Sequence, residues 1–257
     1  MLKYFISILL IIAVAPTQAQ SETIDLQPKD TIVYKQPYGL RAGIDLSRVV
    51  QSFLNDDYTG LELVGDYRLT ENLYLAGEFG NEKKTSTEEL QDLDELNSIP
   101  IYNFTTSGSY LKVGVDYNTY ENWYGMNNTI FIGGRYAISS FSQTLNNYSI
   151  FDTNRYWSAD QFATGAAQNI EYSSLSASWL EFIFGMKAEL FANIYLGASV
   201  RIGFLVSNKE AETFPNLWIP GFNKVTDGSN FGVGYNYSLT YFLPLYKKSK
   251  KRTPASE

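Results

Sequence analysis

The residues of this chain whose types and spacing could do chemistry are thirteen charged side chains sharing one face of an alternating pattern. Arg41, Asp45, Glu62, Asp66, Arg68, Glu78, Lys112, Asp116, Arg135, Glu181, Lys187, Glu189 and Arg201 make seven acids and six bases, interspersed with glycine. The stretch "YGLRAGIDLS" shows the pattern. Tyr38, Leu40, Ala42, Ile44 and Leu46 fall on one face of an extended chain and Gly39, Arg41, Gly43, Asp45 and Ser47 on the other, because successive β side chains point oppositely. Near balance of sign is what a closed, ion-paired interior requires, since an unpaired buried charge costs several kcal/mol. On the outside of a soluble protein the same residues would be an ordinary solvated face.

Catalysis has little else to draw on. There is no histidine, hence no imidazole to act as general base or to activate water. There is no cysteine either, which removes disulfides, a lipid-modified N-terminal cysteine and thiol-imidazole metal clusters. No phosphate-binding G-x-x-x-x-G-K-[ST] loop or dinucleotide fingerprint occurs, and no cofactor is expected. A Ser-Lys or paired-carboxylate site stays formally open, but Asp56 and Asp57 adjoin near a strand start, where a solvated loop is the simpler reading. In "TSTEELQDLDELNS", Asp92, Asp94 and Glu95 could bind calcium weakly, without the glycine and the final glutamate of the EF-hand pattern. The preferred reading there is a short amphipathic helix, with Ser86 and Glu89 as a capping box and Leu90, Leu93 and Leu96 along one side. Asn103-Phe104-Thr105 and Asn147-Tyr148-Ser149 match the N-glycosylation pattern, a match of low specificity.

The elements that must position the charges are strands. Alternation recurs over residues 38–50, 58–69, 73–80, 109–117, 129–141, 175–190, 194–206 and 231–245, which makes eight. Strands two and six are followed by the short Thr70-Glu71-Asn72 and Phe191-Ala192-Asn193, and strand four by the middling 118–128; the connections after strands three, five and seven are long. Short turns on one rim and long loops on the other is the layout of an outer-membrane barrel. The expected fold is therefore all-β: an eight-stranded antiparallel up-and-down transmembrane β-barrel, with the charges in its lumen and Leu, Ile and Tyr toward lipid. A soluble sandwich or lipocalin-like barrel is the alternative, because it too has one apolar face per strand. Tyr117, Tyr120, Trp123 and Tyr124 fit an interfacial girdle at a short-turn rim, and Phe182 and Phe184 fit a lipid-facing surface.

The chain begins with Lys3, an apolar run over 5–15, then Pro16-Thr17-Gln18-Ala19, the regions of a secretory signal. The expected organisation is a cleaved signal peptide at 1–19, a periplasmic segment at 20–37, the barrel at 38–246 and a basic tail at 247–257. With 20 tyrosines, 16 phenylalanines, 19 glycines and 18% charged residues, the composition is that of an aromatic-rich β-protein. A net charge of −7 argues against a nucleic-acid partner.

The blocks "YGLRAGIDLS", "SFLNDDYTGLELVGDYRLTENLYLAGEFGNEKKT" and "YNYSLTYFLPLYKKSKK" resemble an uncharacterised family of outer-membrane, barrel-like proteins from Bacteroidota. The turn and strand "TENLYLAGEFG" is similar to small barrels of the OmpA and OmpX kind. The resemblance implies a place, the cell outer membrane, rather than a reaction. Barrel enzymes of that size, namely lipid A deacylases and palmitoyltransferases, phospholipases and omptin-type proteases, resemble one another in needing a histidine, which this chain lacks.

The expected function is non-enzymatic: a salt-bridged barrel serving envelope structure or surface interaction through long extracellular loops. The alternative is a narrow channel or a small-ligand-binding barrel, in the membrane or soluble and lipocalin-like. Expected partners are outer-membrane lipid and the outer-membrane assembly machinery, with the external partner of the loops left open. Within the charged set, Arg41 is expected to pair with Asp66 or Glu62 on the next strand. Gly43→Ser, on the same inward face, is expected to be mild.

Overall fold

A computed structural model describes residues 33–91, 98–120, 127–151, 162–164, 169–225 and 229–251. The expected signal peptide, most of the segment expected at 20–37, Asp92, Asp94, Glu95, Leu93, Leu96, Trp123, Tyr124 and the end of the basic tail lie outside the described residues. In chain order the elements are β1 (Val33–Asp45), α1 (Leu46–Leu54), β2 (Tyr58–Arg68), β3 (Leu73–Gln91), β4 (Ser98–Asn118), β5 (Thr129–Phe151), β6 (Phe162–Thr164), β7 (Ile170–Phe191), β8 (Ile194–Lys209), β9 (Trp218–Ile219), β10 (Asn223–Lys224) and β11 (Phe231–Lys251). Eight long strands pair antiparallel with their neighbours in the chain, and β11 lies beside β1, so the sheet closes into a ring. The short β6 adds to β5, and β9 and β10 form a separate hairpin. Among the described residues no helix is long and apolar enough to cross a membrane.

The alternation decides which face turns inward. On β8, Tyr195, Arg201 and Leu205 are buried, while Leu196, Val200, Ile202, Phe204 and Val206 are exposed. On β2 the order is the same, with Glu62, Asp66 and Arg68 inside and Leu61 and Leu63 outside. The ring thus buries its charges and exposes its large apolar residues, the reverse of a water-soluble fold. The apolar outer face has a level end. Phe79, Leu111 and Ile138 are cross-strand neighbours on β3, β4 and β5, and the next row beyond them is Asn81, Ser109, Ser140 and Ser176. Past that row β3, β4, β5 and β7 continue with Lys83 and mainly Ser, Thr and Asn outside; Thr85 and Thr105 hydroxyls lie 3.0 Å apart, and Asn103 donates to Thr87 at 2.8 Å.

Several boundaries differ from the pattern's prediction. The first strand stops at Asp45, and Leu46–Leu54 is helical rather than extended. Asp45 caps it, accepting from the Ser47 N–H at 2.8 Å, and Leu46, Val50, Phe53 and Leu54 recur at helical spacing of three and four. Conversely, the helix expected around Ser86, Glu89 and Leu90 is strand: Ser86 pairs with Phe104 and Leu90 with Ile99, so a long hairpin replaces a loop. Thr85 and Thr87 are β-formers, and cross-strand pairing outweighs an isolated capping box. β1 begins at Val33 and β11 runs on to Lys251, past the limits of 38 and 246 expected for the barrel. Tyr38 is 6% exposed instead of facing outward; it stacks on Tyr246 at 5.5 Å beneath Arg68.

The seam between β1 and β11 is close. A Cβ built on Gly43 would lie 2.0 Å from the Leu239 carbonyl oxygen, and one on Gly39 the same distance from that of Leu243. Backbone cannot yield as a flexible side chain does, so glycine is required there. Gly43→Ser is therefore not the mild change its inward position suggested. It should destabilise the fold by about 1–3 kcal/mol, read as a lowered urea midpoint, whereas Gly77→Ser, whose Cβ would meet nothing nearer than 3.8 Å, should leave the midpoint close to wild type.

Candidate functional site

Eleven of the thirteen charges singled out by the alternation are ion-paired in the interior, nine in one run and Asp45 and Glu62 in a second group with Arg48 and Glu82. Arg41 meets Asp66 at 2.8 Å, and of its two candidate partners it is Asp66 that lies opposite it in the β1–β2 register. Lys187 reaches the other Asp66 oxygen at 2.6 Å and approaches Asp116 at 3.8 Å. Asp116 in turn holds Arg135 at 2.8 Å. Glu78 is the hub, with Arg201 at 2.5 Å, Arg135 at 3.6 Å and Lys112 at 3.9 Å. Glu181 closes the chain, accepting from Lys112 at 2.9 Å and from the Trp179 indole at 2.7 Å. Every member of this run is at least mostly buried, so the attractions act with little solvent screening.

A second cluster sits toward α1. Arg48, the third residue of the helix, points inward and lies 2.9 Å from Glu82, 3.7 Å from Asp45 and 4.0 Å from Glu62. Tyr110 donates to Glu62 at 2.5 Å, Tyr58 donates to Glu82 at 3.0 Å, and the Asn236 amide donates to Glu62 at 3.1 Å. Arg48 escapes the strand pattern because it sits on a helix, and Glu82 because it lies beyond the 73–80 stretch of alternation. Continuing the alternation Glu78, Gly80, Glu82 would have found the latter.

The other two expected members stand at the short-turn rim. Arg68 donates to the backbone oxygens of Pro37, Thr70 and Glu71 and lies 4.7 Å from the Tyr38 ring. Glu189 accepts from the Tyr195 hydroxyl at 3.1 Å. Arg41 lies under Tyr74 and Tyr195, at 4.9 and 5.2 Å from their centroids, which narrows the interior at that end.

At the opposite end the segment between β8 and β11 folds into the ring. Ile219 and Phe222 pack with Tyr110, Phe141, Leu175 and Trp179, and Trp218 packs with Tyr58 and Phe104. The Gly221 N–H donates to Glu82 at 3.0 Å, and the Gln143 amide donates to the Pro215 carbonyl at 3.0 Å. Gly221 has φ +81, and a Cβ there would strike the Tyr110 ring, so only glycine fits. This plug carries no periodicity, and its one local signal is an aromatic and aliphatic run, "FPNLWIPGF", where solvated loop residues would be expected.

Chemically the arrangement holds charge still. Most acids have a base within ion-pair distance, and the interior void between Asp66, Asp116, Arg135, Lys187 and Thr240 measures ≈ 30 Å³, room for a water or two. Asp56 and Asp57 are exposed in the link from α1 to β2. Among the described residues no group of His, Cys, Asp or Glu is placed to hold a metal ion.

Removing one partner of such a network leaves the other charge buried and alone, which costs about 3–5 kcal/mol. Glu78→Gln strands parts of three cations and should be the most damaging single change, ahead of Arg41→Met. The double variant Arg41→Met, Asp66→Asn should lose less than the sum of the singles, with a coupling of about 1 kcal/mol or more, because Lys187 keeps Asp116. Urea unfolding of the four proteins of that cycle measures it.

No curated protein and no solved structure matches the chain. Residues 1–248 match the family described as Domain of unknown function (DUF6048), and the chain belongs to that family.

Proposed function

We propose that the protein is a non-enzymatic transmembrane β-barrel of the cell outer membrane, exported by a cleaved signal peptide, whose interior is structural and whose contacts are made at its surface. One observation carries the reading: the closed ring keeps its charges inside and leaves large apolar side chains outside on every long strand, among them Leu63 at 50% exposure, Phe182 and Phe184 at 55% and Val200 at 55%. Burial of apolar area is worth about 25 cal/mol per Å², so this wall is unfavourable in water and favourable in hydrocarbon. A closed ring also suits a bilayer because it leaves no unpaired strand edge where water is absent. On β8 the apolar outer residues run from Leu196 to Val206, ten steps of about 3.3 Å, which at the tilt of membrane strands gives a band about 25 Å tall.

The filled interior favours an envelope or surface role over transport. A narrow channel or a ligand-carrying barrel needs open volume, and the space is taken by ion pairs in the middle and by Trp179, Ile219 and Phe222 toward one end. Lipid is then the proposed partner of the outer wall and the outer-membrane assembly machinery the proposed partner in insertion. The polar part of the sheet beyond Asn81 and Ser109 is the surface offered to anything outside.

Cell fractionation tests the location. The mature protein should appear in the outer-membrane fraction, migrate faster on a gel before boiling than after, and pass no steady current in a planar bilayer. Recovery as a soluble monomer without detergent would overturn the reading. Leu63→Arg and Val200→Arg should each impair insertion by about 2–4 kcal/mol near the midplane, measured as the folded fraction in lipid vesicles, while Thr85→Arg on the polar sheet should be tolerated.

A further inference from the structure

Where the outer wall changes from large apolar to small polar side chains it is notched. The depression measures ≈ 420 Å³ on β3, β4, β5, β7 and β8, within the range of small-ligand sites. Its two sides differ in chemistry. Phe79, Leu111 and Ile138 form one side; Ser109, Ser140, Ser176, Ser178 and Ser207 form the other. Register explains the shape: Ile138 is level with Ser178, and Ser178 with Ser207, so two serines stand where the apolar row would otherwise continue around the ring.

The hydroxyls are available. The Asn81 amide donates to Ser109 at 2.8 Å, but among the described residues none hydrogen-bonds the hydroxyls of Ser140, Ser176, Ser178 or Ser207. No Lys, Arg, Asp or Glu lines the depression. A hydroxyl both donates and accepts, which matches a sugar hydroxyl, whereas a phosphate calls for Arg, Lys or a helix N-terminus. Continuity with the apolar wall supplies the rest of the ligand: from Leu111 the outer face of β4 runs on through Val113 and Val115, and beside it β5 presents Ile138 and Tyr136, all exposed.

We propose that the notch binds a glycolipid with an uncharged sugar headgroup, the sugar on the serines and the acyl chains along the exposed apolar faces of β4 and β5. The proposal rests on the membrane reading above. It adds that lipid at this position is selected and not merely annular.

Native mass spectrometry of the detergent-extracted folded protein tests it, using four probes: monoglucosyl diacylglycerol, phosphatidylglycerol with the same chains, the parent diacylglycerol, and methyl glucoside. The glucosyl lipid should be retained about tenfold better than either other lipid, the equivalent of two hydrogen bonds, and methyl glucoside alone should not be retained. Ser140→Ala with Ser178→Ala should bring the glucosyl lipid down to the diacylglycerol level while phosphatidylglycerol is unchanged; the hydroxyls are on the surface, so the variant folds. Equal retention of the three lipids, preference for phosphatidylglycerol, retention of methyl glucoside without gain from acyl chains, or an unchanged preference in the double variant would each overturn the glycolipid site. None of these results touches the membrane reading, which fails separately if the protein needs no detergent to stay in solution.

Discussion

The structure depends on one constraint: a closed sheet that turns its charges inward must give them ion-pair or hydrogen-bond partners within the ring. Glu78 meets it most heavily, holding Arg201, Arg135 and Lys112 from three other strands. The burial cost of each ion is several kcal/mol, and only mutual attraction and hydrogen bonds offset it. Register is fixed as a consequence. A slip of one residue on β2 would turn Glu62, Asp66 and Arg68 outward together, strand Arg41 inside and leave Lys187 only its longer contact to Asp116.

That constraint shapes the remainder of the molecule. Space that the ion pairs do not fill is occupied by the segment around Trp218, Ile219 and Phe222 at one end and by Tyr74 and Tyr195 around Arg41 at the other. Both closures are tied to the charges, through Glu82 to the Gly221 N–H and through the rings to the Arg41 guanidinium. An interior so interlocked has little freedom to open, and this is why the proposed function is assigned to the outer surface. There the protein offers two chemistries in sequence along β3, β4, β5 and β7, an apolar wall and then mainly hydroxyls and amides, with the notch at their boundary.

The family relationship adds membership without a mechanism, so the functional reading rests on physical grounds. Its main support is the contrast between faces. A soluble barrel with the same strands would carry Leu63, Phe184 and Val200 inside and the charges in water, and the energetic sign of the arrangement would reverse.

Period-two alternation is a local property, and it was enough to identify the eight long strands, the charges that share one face and the two β2 acids that Arg41 could pair with, because neighbouring strands in a meander follow one another in the chain. Other features depend on residues distant in sequence. Leu46–Leu54 lies inside the stretch expected to be strand, but the alternation fails at Arg48 and the apolar residues there repeat at helical spacing behind the Asp45 cap, which turns Arg48 inward to Glu82. The strand character of Ser86–Gln91 comes from its pairing with β4, which an isolated window cannot register. The plug was hidden because "FPNLWIPGF" has no period; its burial exists only once β8 and β11 bring it over Trp179 and Tyr110. Above all, alternation is blind to inside and outside. The sequence alone determined that each strand has a charged face and an apolar face; closure of the ring decided which of them is the interior, because curvature and burial belong to the assembled sheet and not to any strand within it.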